Sequence, residues 1–81
     1  MVLTPEQWIE FAESGNQQRL RTTRGQHWQG WVMELNEDAL LISIGSGERG
    51  EERWLSLADI AVDSLAFFDP KTQDWRPFLP G

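Results

Sequence analysis

The sequence predicts a mainly β domain: an N-terminal α-helix followed by a strongly bent, five-stranded small barrel. Three observations carry this expectation. A helix-capping pattern opens the chain and meets a glycine about ten residues later. Five short apolar or alternating runs follow, separated by polar turns. Gly30 interrupts the longest of these runs at its middle, where a strand bends, bulges or approaches another backbone closely. Closing such strands into a barrel removes free edges, which matters for runs this apolar. At 81 residues the chain is one domain, with the helix over about residues 5–14, barrel strands over about 17–68 and an aromatic, proline-containing tail over 69–81.

The helix starts at Thr4-Pro5-Glu6-Gln7, where Thr4 caps, Pro5 suits the first helical position and Gln7 completes a capping box. Leu3 and Trp8 take the two positions of a hydrophobic staple. Trp8, Ile9, Phe11 and Ala12 form one apolar face, while Glu6, Glu10 and Glu13 point away from it. Gly15 ends the helix in a left-handed conformation. An isolated helix this short is marginal in water, so its apolar face must dock.

Residues 17–24 alternate, with Leu20 and Thr22 on one side and Arg19, Arg21 and Thr23 on the other. Arg24-Gly25-Gln26 turns the chain into "HWQGWVMEL", and Asn36-Glu37-Asp38 turns it again into the apolar run "ALLISI". "GSGERGEE" is a polar loop, and "RWLSL" follows with Leu55 and Leu57 on one face and Trp54 on the other. Ala58-Asp59-Ile60 breaks the pattern for one turn before "AVDSLAFF", the fifth strand. Asp69-Pro70-Lys71-Thr72 turns into the tail, whose Trp75 and Phe78 call for packing on the barrel or on a neighbour.

The chain has no cysteine, which excludes disulfides and thiolate metal sites and makes an intracellular, cytoplasmic home the expectation. No apolar run reaches the length of a membrane span, so no membrane partner is expected. The formal net charge of −6 is unevenly spread. Arg19, Arg21 and Arg24 stand in a segment without acids, whereas residues 34–63 hold eight acids against Arg49 and Arg53. An acidic chain repels a polyanion and favours basic partners, including the basic grooves of nucleic-acid-binding proteins.

Chemistry-bearing motifs are sparse. "GSGERG" matches G-x-G-x-x-G, but a dinucleotide site needs a helix opening at the third glycine, and "EERWLSL" reads as a strand. His27 is the only imidazole and stands beside a turn, and Asp59 and Asp63 cannot be brought together from sequence. No nucleophile, metal or cofactor constellation is recognisable, so the expectation is binding rather than catalysis, with no cofactor. The strip "RLRTTRGQHWQGW" has two readings. Its cations could follow a phosphate backbone while its tryptophans stack bases, or its arginines could be the solvated face of an ordinary strand pair. Trp28 and Trp31 fall on opposite strand faces, so one is expected in the core and the other outside.

Residues 17–68 resemble the Sm-like fold of Sm, Lsm and Hfq proteins, an SH3-like small barrel. The likeness rests on the helix followed by five bent strands, and on Gly25, Trp28, Gly30, Val32 and Asn36 in the pattern of that family's first motif. The second motif departs: where Hfq has a Tyr-Lys-His run, this chain has Ser56-Leu57-Ala58-Asp59-Ile60. The resemblance implies homo-oligomeric rings assembled through strand edges. The basic and imidazole groups that bind uridine in Hfq are absent here, so in an Lsm-type ring the single-stranded RNA contacts would come from the arginine–tryptophan strip: Arg19, Arg21, Arg24, Trp28 and Trp31.

"GEERWLSLADI" is similar to a segment of the Rho-binding antiterminator (Rof) family, through Gly50, Glu51, Arg53, Leu55, Leu57 and Ile60. That likeness implies a regulator of transcription termination whose carboxylates occupy the basic RNA-binding surface of Rho. Glu34, Glu37, Asp38, Glu48, Glu51 and Glu52 would be the partner-binding acids. A third reading is an oligomeric structural module of a phage or mobile element.

Overall fold

A computed structural model describes residues 2–44 and 51–79. Helix α1, Pro5–Glu13, begins as its capping pattern demands. Gln7 N–H donates to Thr4 Oγ1 at 3.2 Å, and Thr4 N–H donates to Gln7 Oε1 at 2.9 Å. Leu3 and Trp8 are both buried in the core, as a staple requires. Trp8 and Phe11 pack edge to face with centroids 6.3 Å apart, and Phe11 meets Phe78 of the tail in the same manner at 5.4 Å.

The apolar face of α1 is narrower than its sequence implies. Trp8 and Phe11 are buried, but Ile9 is 48% exposed. Each residue advances the helix by about 100°, so a stripe centred between Trp8 and Phe11 leaves Ile9 beyond its edge. The helix ends at Glu13 with Ser14 as its C-cap, and Gly15 follows with φ of +56°, where a Cβ would collide with the Phe68 carbonyl oxygen. Asn16 N–H donates to that same oxygen at 3.1 Å, tying the segment after the helix to the strand that carries Phe68.

Six strands form one antiparallel sheet: β1 Gln18–Arg21, β2 His27–Leu35, β3 Ala39–Ile44, β4 Glu51–Ser56, β5 Ala66–Asp69 and β6 Asp74–Pro77. Their spatial order is β4-β3-β2-β1-β5-β6. Strand β2 changes partner at its glycine. Residues 27–30 pair with β1, and pairing with β3 starts at Trp31 opposite Ser43. A Cβ on Gly30 would run into the Ser43 carbonyl oxygen, so close backbone approach explains this glycine. A bulge then separates Val32 from Glu34 in the ladder with β3. The extra residue lets Val32 and Leu35, three apart, both pack on the core.

The core joins Leu3, Trp8 and Phe11 to Leu20, Leu40, Ile42, Ile60 and Leu65. Gln18, 3% exposed, sits among them. Its Nε2 donates to the Ser14 carbonyl and its Oε1 accepts from Val32 N–H at 3.0 Å. This one side chain joins the helix end to β2 just past the last β1–β2 backbone pair.

Two expectations about the strands need correcting. The count is six rather than five, because the tail supplies β6, which pairs with β5 across the Asp69–Asp74 turn. The proposed fifth strand is also shorter than "AVDSLAFF". Val62–Ser64 is a 3₁₀ turn, as is Leu57–Asp59, and only Ala66–Asp69 is strand. The Ser64 hydroxyl explains the turn: it donates to the Ala61 carbonyl at 2.6 Å and accepts from Arg21 N–H at 2.8 Å. A local side-chain bond thus takes the place of a strand ladder. The ladders among the described residues leave β4 and β6 at the two ends of an open strand order, with an isolated antiparallel bridge between Thr22 and Ile60 joining the end of β1 to the segment after β4.

Candidate binding surfaces

The expected acidic residues fall on two levels of the β2–β3–β4 sheet. On the face opposite the core, the register aligns Glu34, Leu41 and Trp54 in one row, and Trp31, Ser43 and Glu52 in the next. Trp31 is 37% exposed, Trp54 49% and Met33, at the bulge, 57%. This face therefore offers aromatic surface between two carboxylates. Glu37 and Asp38 are exposed in the β2–β3 turn, where Asn36 Oδ1 accepts from both Asp38 N–H and Ala39 N–H at 2.8 Å. Glu51 is exposed at the opposite end of the ladder, paired with Ile44. Five steps of β3 separate these ends, roughly 17 Å at about 3.3 Å per residue. Glu48 lies outside the described residues, as does the "GSGERG" segment.

Among the described residues, none of Glu34, Glu37, Glu51 and Glu52 forms an ion pair across neighbouring strands. The ion pair present there joins Arg76 to Asp69 at 2.9 Å. Arg53, the cation nearest these acids in sequence, instead lies over the Trp28 ring at 5.4 Å from its centroid. Trp28 itself is half-buried against the core, and its indole N–H has no acceptor.

The arginine strip is divided by the fold. Arg19 and Arg21 occupy the exposed face of β1, and Arg24 is exposed in the β1–β2 turn. Arg19 rests over Trp75 of β6 at 4.6 Å, and Trp75 packs edge to face on Phe68 at 5.6 Å. Beside this stack lies a shallow groove of about 580 Å³, lined by Asn16, Gln17, Gln29, Trp31, Phe68 and Trp75. Trp31 thus belongs both to this groove and to the acidic face. Arg19 and Trp31 stay exposed together, whereas Trp28 turns inward.

Sequence reasoning missed Phe68, Trp75 and the amide side chains of this groove. The signal was present in the spacing: Phe67-Phe68 and Trp75 flank an Asp-Pro-Lys-Thr turn, which reads as a hairpin once the tail is admitted as a strand. His27 is exposed at the start of β2. Among the described residues, no group of three or more His, Asp or Glu side chains is arranged to hold a metal ion. No helix among them is long and apolar enough to cross a membrane. No family model, curated protein or solved structure matches the chain.

Proposed function

We propose that this chain is a non-enzymatic acidic binding module, similar in role to the Rho-binding antiterminators, that occupies a basic surface of a partner protein. One observation carries the reading: Glu34 and Glu52 flank exposed Trp31 and Trp54 on one sheet face, and none has a cationic partner among the described residues. Such a face suits lysine and arginine side chains twice over. The carboxylates attract the charge, and the indole faces accept cation–π contact. The Sm-like reading of the fold is supported by the helix, the partner change of β2 at Gly30 and the short 3₁₀ turn after β4. The mechanism is occlusion: carboxylates fill a basic groove that otherwise takes RNA.

The test is direct association with a Rho-type terminator, measured by biolayer interferometry at low and high salt. Binding is expected at low salt and should weaken steeply as salt rises, because the Debye length shrinks from about 30 Å at 0.01 M to about 8 Å at 0.15 M. The double variant E34K/E52K should lose at least about tenfold, as reversal of rim charges does in electrostatically steered complexes. Absence of association at low salt sinks this version.

A second reading, single-stranded RNA binding, is favoured by the groove beside Arg19. Its aromatic rings suit stacking and its amides suit base edges. Filter binding of short single-stranded RNAs tests it, and no retention at low salt removes it.

A further inference from the structure

A second groove, on another side of the molecule, is unused by the sheet-face reading. It lies between the N-terminal segment with α1, the β2–β3 turn and the two 3₁₀ turns, and its volume is about 800 Å³. Val2, Ile9, Leu35, Leu57 and Val62 line it, with Trp8 against the core. Val2 is 89% exposed, and Ile9 is the helix residue left outside the buried stripe. Two apolar side chains in water at the mouth of an apolar groove suit a docking surface.

The charge around the groove identifies its occupant. Glu37 lines it, Asp38 follows in the same turn, and Asp59 is exposed between the lining residues Ala58 and Ile60. Glu6 and Glu10 occupy the helix surface beyond Ile9. Among the described residues no cation lines it. The lining is a helix, a turn, 3₁₀ segments and the last residue of β2, so it offers side chains rather than a free strand edge. An added β-strand has little to pair with there, whereas a helix docks through apolar anchors at i, i+3, i+4 and i+7. A second copy of this chain would bring like charge to a rim of like charge.

We infer that this groove binds a basic amphipathic helix of a partner protein, with its apolar stripe on Ile9, Val2 and Leu57 and its lysines or arginines facing the acidic rim. The inference rests on the reading of the chain as a binder of basic proteins, and it names the part of the partner that is held. Ile9 is the central anchor on this side. Glu37 is the rim charge nearest the seat.

The experiment uses fluorescence anisotropy with the full chain and a fluorescein-labelled 18-residue peptide. The peptide carries leucines at i, i+3, i+4 and i+7 and lysines on its other face, and a control peptide carries glutamates in place of lysines. The lysine peptide should bind and the glutamate peptide should not. Ile9→Glu should weaken binding about tenfold or more, the effect of losing one buried aliphatic anchor. Val2→Glu, outside the helix and almost fully exposed, should act in the same direction without affecting folding. Glu37→Lys should weaken binding and flatten its salt dependence.

Equal binding of the lysine peptide by the parent, Ile9→Glu and Val2→Glu overturns the groove. If E34K/E52K then abolishes that binding, the sheet-face reading survives alone. No binding of the lysine peptide at low salt also overturns the groove, while Rho association reports separately on the parent reading. Equal binding of both peptides refutes the charge argument. A dimer that Ile9→Glu dissolves, seen by light scattering, makes a second copy the occupant and overturns the proposal.

Discussion

Gln18 illustrates how a buried polar residue is both hidden in a sequence and decisive in a structure. The alternation of residues 17–24 puts it on the same side as Leu20 and Thr22, which the fold buries. Alternation says nothing of what a buried amide must bond to, and its partners come from two other elements. Its Nε2 meets the Ser14 carbonyl and its Oε1 meets Val32 N–H. Gln18→Leu keeps the approximate volume but leaves a donor and an acceptor without partners. The expected loss is about 2 kcal/mol, the usual cost of an unmade buried hydrogen bond. An unchanged urea midpoint in that variant would show that water replaces both bonds. Gly30 was easier to read, because a glycine inside a strand pattern has few explanations. Its meaning still needed a partner: the Ser43 carbonyl, thirteen residues on, lies where its side chain would be.

At the scale of elements, local chemistry was legible and tertiary chemistry was not. The helix start is written in four consecutive residues, and the structure forms both bonds of the capping box. Thr4→Ala removes the acceptor for Gln7 N–H and should cost about 1 kcal/mol, while Thr4→Ser should retain most of the stability. Thermal unfolding followed by circular dichroism distinguishes the two, and equal melting temperatures for Ala and Ser would refute the cap's contribution. The width of the helix's buried stripe was not legible, since four apolar residues on one side do not say how many the sheet can cover. Ile9 is the one left over. The fifth strand was drawn too long for a related reason. Residues 61–65 carry strand-like composition, yet Ser64 bonds the local backbone and bends them, and the strand starts only at Ala66. That strand pairs with β1 on one side and on the other with the tail, whose aromatics signalled packing without saying in what form.

For the whole molecule, charge and edges argue together for a solitary chain. An excess of six negative charges disfavours close approach of identical copies. The two end strands are also poor templates for pairing. β6 is four residues long and ends in Pro77, which has no N–H to donate, and β4 opens with Glu51, Glu52 and Arg53. The exposed aromatics on the sheet face do not reverse this, because copies that bring Trp31 and Trp54 together also bring Glu34 and Glu52 together. Light scattering at low ionic strength should therefore give the mass of one chain. Raising the salt tests the electrostatic part of the argument separately. If only repulsion keeps copies apart, mass should rise as salt screens it; if the short, charged edges suffice, mass should stay constant. The edges predict the second outcome. A particle of five to seven chains at low salt would contradict both arguments. It would also move the functional reading from an acidic module on a protein partner to a ring that presents Arg19, Trp31 and Trp75 repeatedly to RNA.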